Sequence, residues 1–140
     1  MDDHTTPDGY TQAQFSAGFL DHGGPYFLCP RDDGLPGLVA LRVMAHHINY
    51  QDAAHGGVLS TFADVALSHA IYDAERPRML PSTSTLTTNF LSAAKLGDWL
   101  VAEVTIDRIG SRTGYTSGAI TCGDKVIATM SGVFSIRRAS

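Results

Sequence analysis

The hydrophobic and polar positions of this chain are organised around one long apolar segment. Residues 56–73 are apolar on most sides of a helical projection, which predicts a helix buried over most of its surface. One stripe differs, because at about 100° per residue four residues fall within roughly 60° of each other: Gly57, Thr61, Asp64 and Ser68. A polar seam with one acid therefore runs along a buried helix, and we expect chemistry there.

Further elements are predicted on both sides of this helix. A capping-box pattern and an apolar pair four residues apart predict an N-terminal helix over Thr11–Leu20. The short, polar residues 1–9 predict a flexible N-terminus before a single domain over residues 10–140. Runs of β-formers between turn residues predict strands over Tyr26–Leu28, Gly37–Asn49, Ser82–Leu91, Trp99–Ile109, Thr113–Cys122 and Val126–Arg137.

The order of these elements predicts an α+β fold, in which a curved antiparallel sheet wraps around one long central helix. The last four strands follow one another through short connections and are expected to form a meander. Such a sheet covers only part of the helix. The remaining apolar side, together with an exposed strand edge, predicts a homodimer.

Composition narrows the class of protein. With 140 residues, of which 44% are apolar and 17% charged, the chain can bury one core. The net charge of -4 argues against nucleic acid as the main partner, since phosphate binding favours a basic surface. The polar, acidic start does not resemble a secretory leader, and no apolar run reaches about 18 residues. Since Cys29 and Cys122 also lack CxxC spacing, we expect a cytoplasmic protein with reduced thiols and no membrane segment.

The start of the long helix is a second candidate feature. His55-Gly56-Gly57 stands where a helix N-terminus presents unpaired N–H groups and a partial positive charge. If Gly56 N–H polarises a carbonyl on which Asp64 also acts, about 12 Å of helix axis separates the two groups. A reacting contact is about 3–3.5 Å. The spacing therefore predicts a two-fold dimer with two composite sites, each taking its donor from one chain and its carboxylate from the other.

The same residues have simpler interpretations. Asp64 is also compatible with a structural hydrogen bond, and His55 with an ordinary loop histidine. His46 and His47 are neighbours on a predicted strand and are expected to point to opposite faces, which makes a poor metal site, so no metal is expected. No G-x-S-x-G elbow surrounds Ser60 or another serine, which argues against a serine hydrolase.

Three positions complete a recognisable motif. Asn49 lies six residues before His55-Gly56-Gly57, and Asp64 lies seven residues after the second glycine, which gives N-x5-H-G-G-x6-D. The later chain contains an N-F-L-x-A segment, a G-D turn, an R-x-G-x-R turn and a final A-T-x-x-G-x-F strand. Over residues 37–137 the sequence resembles the hotdog-fold acyl-CoA thioesterases of the phenylacetyl-CoA (PaaI-like) type.

This resemblance implies a role for each matching residue. Gly56 N–H would polarise the thioester carbonyl, and Asp64 of the partner subunit would act as nucleophile or as the base that activates water. His55 and Asn49 would shape that site or hold water, and Ser82 would offer a hydroxyl that positions the water. Coenzyme A, as part of the substrate rather than a cofactor, would be bound by Gly57, Arg108, Ser111, Arg112, Arg137 and Arg138. The expected assembly is a homodimer, paired further into a homotetramer.

Two other functions stay open at this point. A hotdog hydratase or dehydratase usually has an Asp five residues before its His, whereas Asp52 stands only three before His55. A non-catalytic acyl-CoA binding protein would keep the fold without hydrolysis. Aromatic, medium-chain and hydroxylated acyl groups all suit an apolar pocket, which the predicted N-terminal helix is expected to cover.

Overall fold

A seven-stranded antiparallel sheet packs around one helix of 17 residues. The computed structural model describes residues 5–138, and part of the predicted flexible N-terminus therefore lies outside the described residues. A 3-10 helix over Ala45–His47 precedes the long helix. The strands are β1 (Thr11–Ala13), β2 (Tyr26–Cys29), β3 (Leu38–Arg42), β4 (Met79–Phe90), β5 (Trp99–Ile109), β6 (Thr113–Cys122) and β7 (Lys125–Arg138), and the α-helices are α1 (Leu20–Gly23) and α2 (Gly56–Tyr72).

The long helix α2 is buried on most sides, as its apolar pattern predicts. Glycines in the sheet let it come close, because there is no room for a larger side chain beneath it. A Cβ atom on Gly114 would lie 2.7 Å from Ile71 Cδ1, and one on Gly132 would lie 3.4 Å from Leu67 Cδ1. The predicted central helix and the α+β class are confirmed, and the sheet forms one continuous wall of the core.

The strand order is β1-β2-β3-β5-β6-β7-β4. The predicted meander of the last four strands is wrong for β4, which pairs with β7 at the edge of the sheet. β4 does not pair with β5, as the meander requires, because β3 already pairs with β5 and places Val39 opposite Ala102. β4 also begins before the predicted Ser82, because β7 is long enough to place Arg138 opposite Met79. The predicted bounds of β5 and β6 are confirmed.

The predicted helix over Thr11–Leu20 is wrong. Its first residues form β1, which pairs with the edge of β2 and places Thr11 opposite Leu28. Gly18 has a φ of 90°, which interrupts any helix there. The apolar pair behind the prediction is Phe15 and Phe19, and these two residues do not share a buried face, because Phe19 is 70% exposed. Pairing with a distant strand therefore outweighs the local capping pattern, and only the four-residue α1 is helical.

The strand predicted over Gly37–Asn49 is shorter than expected. β3 ends at Arg42, and the chain then turns into the 3-10 helix. The strand ends for a local reason. The Met44 N–H donates to His47 Nδ1 at 2.9 Å, and this side-chain hydrogen bond takes the place of one between strands.

Candidate active site

The first turn of α2 is capped by a histidine ring. His55 is the N-cap residue, and its Nδ1 accepts a hydrogen bond from the Gly57 N–H at 2.8 Å. Since Nδ1 accepts, the neutral ring carries its proton on Nε2. His55 therefore fixes the helix start, and the Gly57 N–H, which the sequence assigned to coenzyme A, is already engaged.

The Gly56 N–H is different. No described residue accepts a hydrogen bond from it, although it stands at the positive end of a 17-residue helix. It borders a cavity of about 320 Å³ formed with Ala54, Leu59 and residues 90–94. A Cβ atom on Gly56 would lie 3.4 Å from the Phe90 ring. The helix therefore offers one free backbone donor to a small cavity.

Asn49 organises the loop that leads to this donor. Its Oδ1 accepts from the Gln51 N–H at 2.8 Å and the Ala53 N–H at 3.2 Å, and its own N–H donates to the Ala53 carbonyl. Asp52 adopts a φ of 61° within this tight loop. Asn49 thus holds the loop in shape, and its role toward a bound water stays a prediction.

Asp64 lies half-buried on the polar seam of α2. Its Oδ1 accepts a hydrogen bond of 2.6 Å from the Thr83 hydroxyl on β4. The sequence pointed to the neighbouring Ser82, which lies opposite Ser135 in the strand pairing. Thr83 is therefore the residue that sequence reasoning did not select, although it stood beside the selected serine.

A β-bulge explains why the hydroxyl at position 83 faces Asp64. Alternation counted back from Leu86 would put Ser82 and Ser84 on the helix-facing side. The pairing shifts between Thr83 and Thr85, so Ser84 is an extra residue in β4. This insertion reverses the alternation and turns the Thr83 side chain toward α2.

Two segments contact α2 at different positions. β4 contacts it through Thr83 and through Thr88, whose hydroxyl lies 3.4 Å from that of Ser60 on α2. The segment from β1 to β2 contacts it where the Phe15 ring packs 4.9 Å from the ring of His69. Asp64 therefore lies on the β4 side of the helix.

His46 and His47 face the same segment, and the prediction that they point to opposite faces is wrong. They lie on the 3-10 helix with ring centroids 3.9 Å apart. Both Nε2 atoms donate to the Gly24 carbonyl, at 2.7 Å and 3.1 Å, and His47 also donates to Gly23. Burial lowers the pKa of His47, which keeps its ring neutral. The pair anchors the chain between α1 and β2.

The predicted coenzyme A residues divide into two groups. Arg108, Ser111 and Arg112 line one open cavity of about 680 Å³ at the β5–β6 turn. Arg138 instead donates to the Ser111 carbonyl at 2.7 Å and to the Glu75 carboxylate, and this hydrogen bond lowers the pKa of Glu75. Arg138 thus braces the turn, and phosphate contacts of all these arginines, including Arg137, stay predictions.

The fold is a hotdog architecture, in which a curved antiparallel sheet surrounds one long helix. The E. coli PaaI protein from the phenylacetic acid degradation operon has the same fold, with a TM-score of 0.73 at 24% identity over 82% of this chain and 81% of that one. A hypothetical thioesterase protein of Streptococcus pneumoniae, solved with coenzyme A, gives 0.72 at 23% identity over 80% and 85%.

Sequence comparison gives the family. A profile of the Thioesterase superfamily matches residues 51–129. A Pseudomonas aeruginosa protein named "Putative esterase PA0474" is 36% identical over 130 residues, which cover 93% of this chain and 96% of that protein. The chain belongs to the thioesterase superfamily and is a hydrolase that acts on thioesters.

No helix among residues 5–138 is long and apolar enough to cross a membrane. Within the same part of the chain, no three His, Cys, Asp or Glu side chains converge in a group suited to a metal ion.

Proposed function

We propose that this protein is an acyl-CoA thioesterase with composite sites. The observation that carries the proposal is the presence of two groups on one helix. The Gly56 N–H at its start has no acceptor among the described residues, and the Asp64 carboxylate eight residues later is held in place by Thr83. The two groups suit opposite sides of one reacting carbonyl. Coenzyme A in the structure of the S. pneumoniae relative and acetyl-CoA in one from Streptococcus mutans support the substrate class.

The proposed chemistry follows from where charge develops. Attack on the thioester carbon places negative charge on the carbonyl oxygen, and the Gly56 N–H at the helix start stabilises it. Asp64 acts either as nucleophile or as the base that takes a proton from water. The C–S bond then breaks, and the thiolate leaves and takes a proton. If water attacked, the free acid remains; if Asp64 attacked, water then hydrolyses the anhydride between the acyl group and Asp64, which releases the acid and restores the carboxylate. Because the Thr83 hydroxyl holds Asp64 Oδ1, the second carboxylate oxygen is free to face the substrate or water.

The two groups come together through a dimer. Within one chain they are about 12 Å apart along the helix axis, too far for one carbonyl. β4 is a 12-residue edge strand with most of its residues exposed, and its only sheet neighbour among the described strands is β7. Such an edge favours pairing with a second copy. We propose a two-fold dimer in which each site combines Gly56 of one chain with Asp64 of its partner, and a further pairing of two dimers.

The substrate's coenzyme A end is assigned to the β5–β6 turn. Arg108 and Arg112 are exposed cations beside the Ser111 hydroxyl, and arginine suits phosphate because its guanidinium offers paired donors. Arg138 holds this turn in place. Arg137, the residue before it on β7, is assigned to the same phosphates. In this proposal the enzyme works in the cytoplasm and uses no resident cofactor.

The test is thiol release from a panel of acyl-CoAs of different chain length and aromaticity, followed with a thiol reagent. We expect turnover of at least one acyl-CoA at a kcat/KM of about 10⁴ M⁻¹s⁻¹ or more, the usual lower range for enzymes. Tight binding of acyl-CoA with no thiol released would contradict the proposal and support a binding protein instead.

A further inference from the structure

The open cavity at the β5–β6 turn contains an aromatic ring beside its cations. Tyr115 on β6 lines this cavity together with Arg108 and Arg112. The cavity's volume of about 680 Å³ is within the range of about 300–1,000 Å³ usual for small-molecule sites. Tyr115 lies directly opposite Arg108 in the strand pairing, so the two side chains project from the same face of the sheet. The cavity thus offers a flat ring next to positive charge.

The Tyr115 ring is accessible to a ligand. It is 41% exposed, and among residues 5–138 no other aromatic ring packs against it. The neighbouring Gly114 faces α2, because a Cβ atom there would lie 2.7 Å from Ile71 Cδ1. Side chains alternate along a strand, so the Tyr115 ring lies on the outer face of the sheet, away from α2.

An aromatic ring beside arginines is suited to a nucleotide. The faces of nucleobases stack on aromatic side chains, and the guanidinium groups of arginine pair with phosphate oxygens. Asp107 also lines the cavity, as the extra residue where the β5–β6 pairing shifts between Ile106 and Arg108. Its carboxylate accepts hydrogen bonds, which suits the amino group of adenine. The nucleotide end of coenzyme A carries both an adenine and phosphates, so it matches the chemistry of this cavity.

The cavity lies within reach of a thioester held at Asp64 of the same chain. Gly114 packs on Ile71, which follows Asp64 by seven residues and therefore by about 10 Å along the helix axis. The pantetheine arm of coenzyme A, with about 13 bonds between sulfur and phosphorus, extends over about 15 Å. This length takes the phosphates to the turn, and the base follows them to the outer face. In the composite site, the chain that supplies Asp64 then also holds the nucleotide.

We propose that the Tyr115 ring stacks against the adenine of coenzyme A, while Arg108 and Arg112 hold the phosphates. The inference rests on the proposed function, and it names the residue by which the enzyme distinguishes coenzyme A from a shorter carrier of the same acyl group. A thioester of pantetheine has the same reacting atoms but no nucleotide, so it cannot use this contact. Tyr115 touches no reacting atom and is therefore a specificity-determining residue rather than a catalytic one.

The experiment compares one acyl group carried on coenzyme A and on pantetheine in the thiol-release assay. Tyr115→Leu should raise KM for the acyl-CoA by about tenfold or more and leave kcat unchanged, because the stacking contact is lost equally from the bound substrate and the transition state. KM for the pantetheine thioester should stay at its wild-type value. Tyr115→Phe keeps the ring and should behave like the wild type. Tyr72→Leu removes a ring that is 39% exposed and lies outside the cavity, so both KM values should be unchanged.

Binding of free coenzyme A, which has the nucleotide but no thioester, gives an independent measurement by calorimetry. We expect Tyr115→Leu to bind it about tenfold more weakly than the wild type does. Unchanged affinity for coenzyme A, or an equal rise of KM for both thioesters, would overturn the Tyr115 site and leave thioester hydrolysis standing. Tyr115-dependent binding of coenzyme A with no thiol released from any thioester would instead refute the proposed hydrolysis and support this site.

Discussion

Asp64→Asn should reduce kcat for acyl-CoA hydrolysis by about 10²–10⁴-fold, the range expected for loss of a general base. The reduction should be larger if Asp64 is the nucleophile. The amide has nearly the same size as the carboxylate and its oxygen can still accept from the Thr83 hydroxyl, so the local packing is kept. It cannot take a proton from water or attack carbon. Stopped-flow or steady-state thiol release measures kcat, and calorimetry measures whether acyl-CoA still binds.

A matched control separates the role of this acid from a general charge effect. Asp124 lies in the β6–β7 turn, and Asp124→Asn removes the same charge there. We expect wild-type kcat for that variant. An Asp64→Asn enzyme with normal kcat would remove Asp64 from the mechanism and favour its simpler role as a hydrogen-bond acceptor for Thr83.

Gly56→Pro should lower kcat by about 10²–10³-fold, as removal of one oxyanion donor does in other enzymes. The structure makes this a clean substitution, because Gly56 is the first residue of α2 and proline is well tolerated at that helical position. The preceding His55 already has the extended backbone, with φ of −62° and ψ of 141°, that a following proline requires. Thermal unfolding measures whether the fold is kept while kcat falls.

Gly56→Ala is the control for Gly56→Pro, because it adds a methyl group and keeps the N–H. That methyl group would lie 3.4 Å from the Phe90 ring, a tight contact that this partly exposed side chain can relieve. We expect the alanine variant to keep most of the activity. Equal losses in both variants would show that space near Phe90, rather than the N–H, limits the reaction.

The central helix could be predicted because its signals are local. Its apolar positions, its polar seam and the glycines at its start all lie within one stretch, and the structure places Gly56 and Asp64 as the helical period requires. The pairing partners of the strands are not local signals. β4 reaches β7 only because β3 occupies the edge of β5, which no pattern within β4 records.

Two site features escaped prediction for related physical reasons. One extra residue at Ser84 reverses the faces of β4, and the four adjacent hydroxyl residues 82–85 give no sign of where such a bulge falls. Arg138 looks like a free cation in the sequence, but Glu75, 63 residues earlier, holds its guanidinium. Both outcomes depend on long-range contacts that a composition or spacing rule does not contain.

The central claim is that each site takes its donor from one chain and its carboxylate from the other. Asp64→Asn and Gly56→Pro chains are given different affinity tags, coexpressed, and the mixed dimer is purified through both tags. In that dimer one site contains Gly56 of the first chain and Asp64 of the second, and the other site lacks both groups, so we predict about half the wild-type activity per dimer. A mixed dimer as inactive as its two parent variants would show that each chain uses its own pair and would contradict the account.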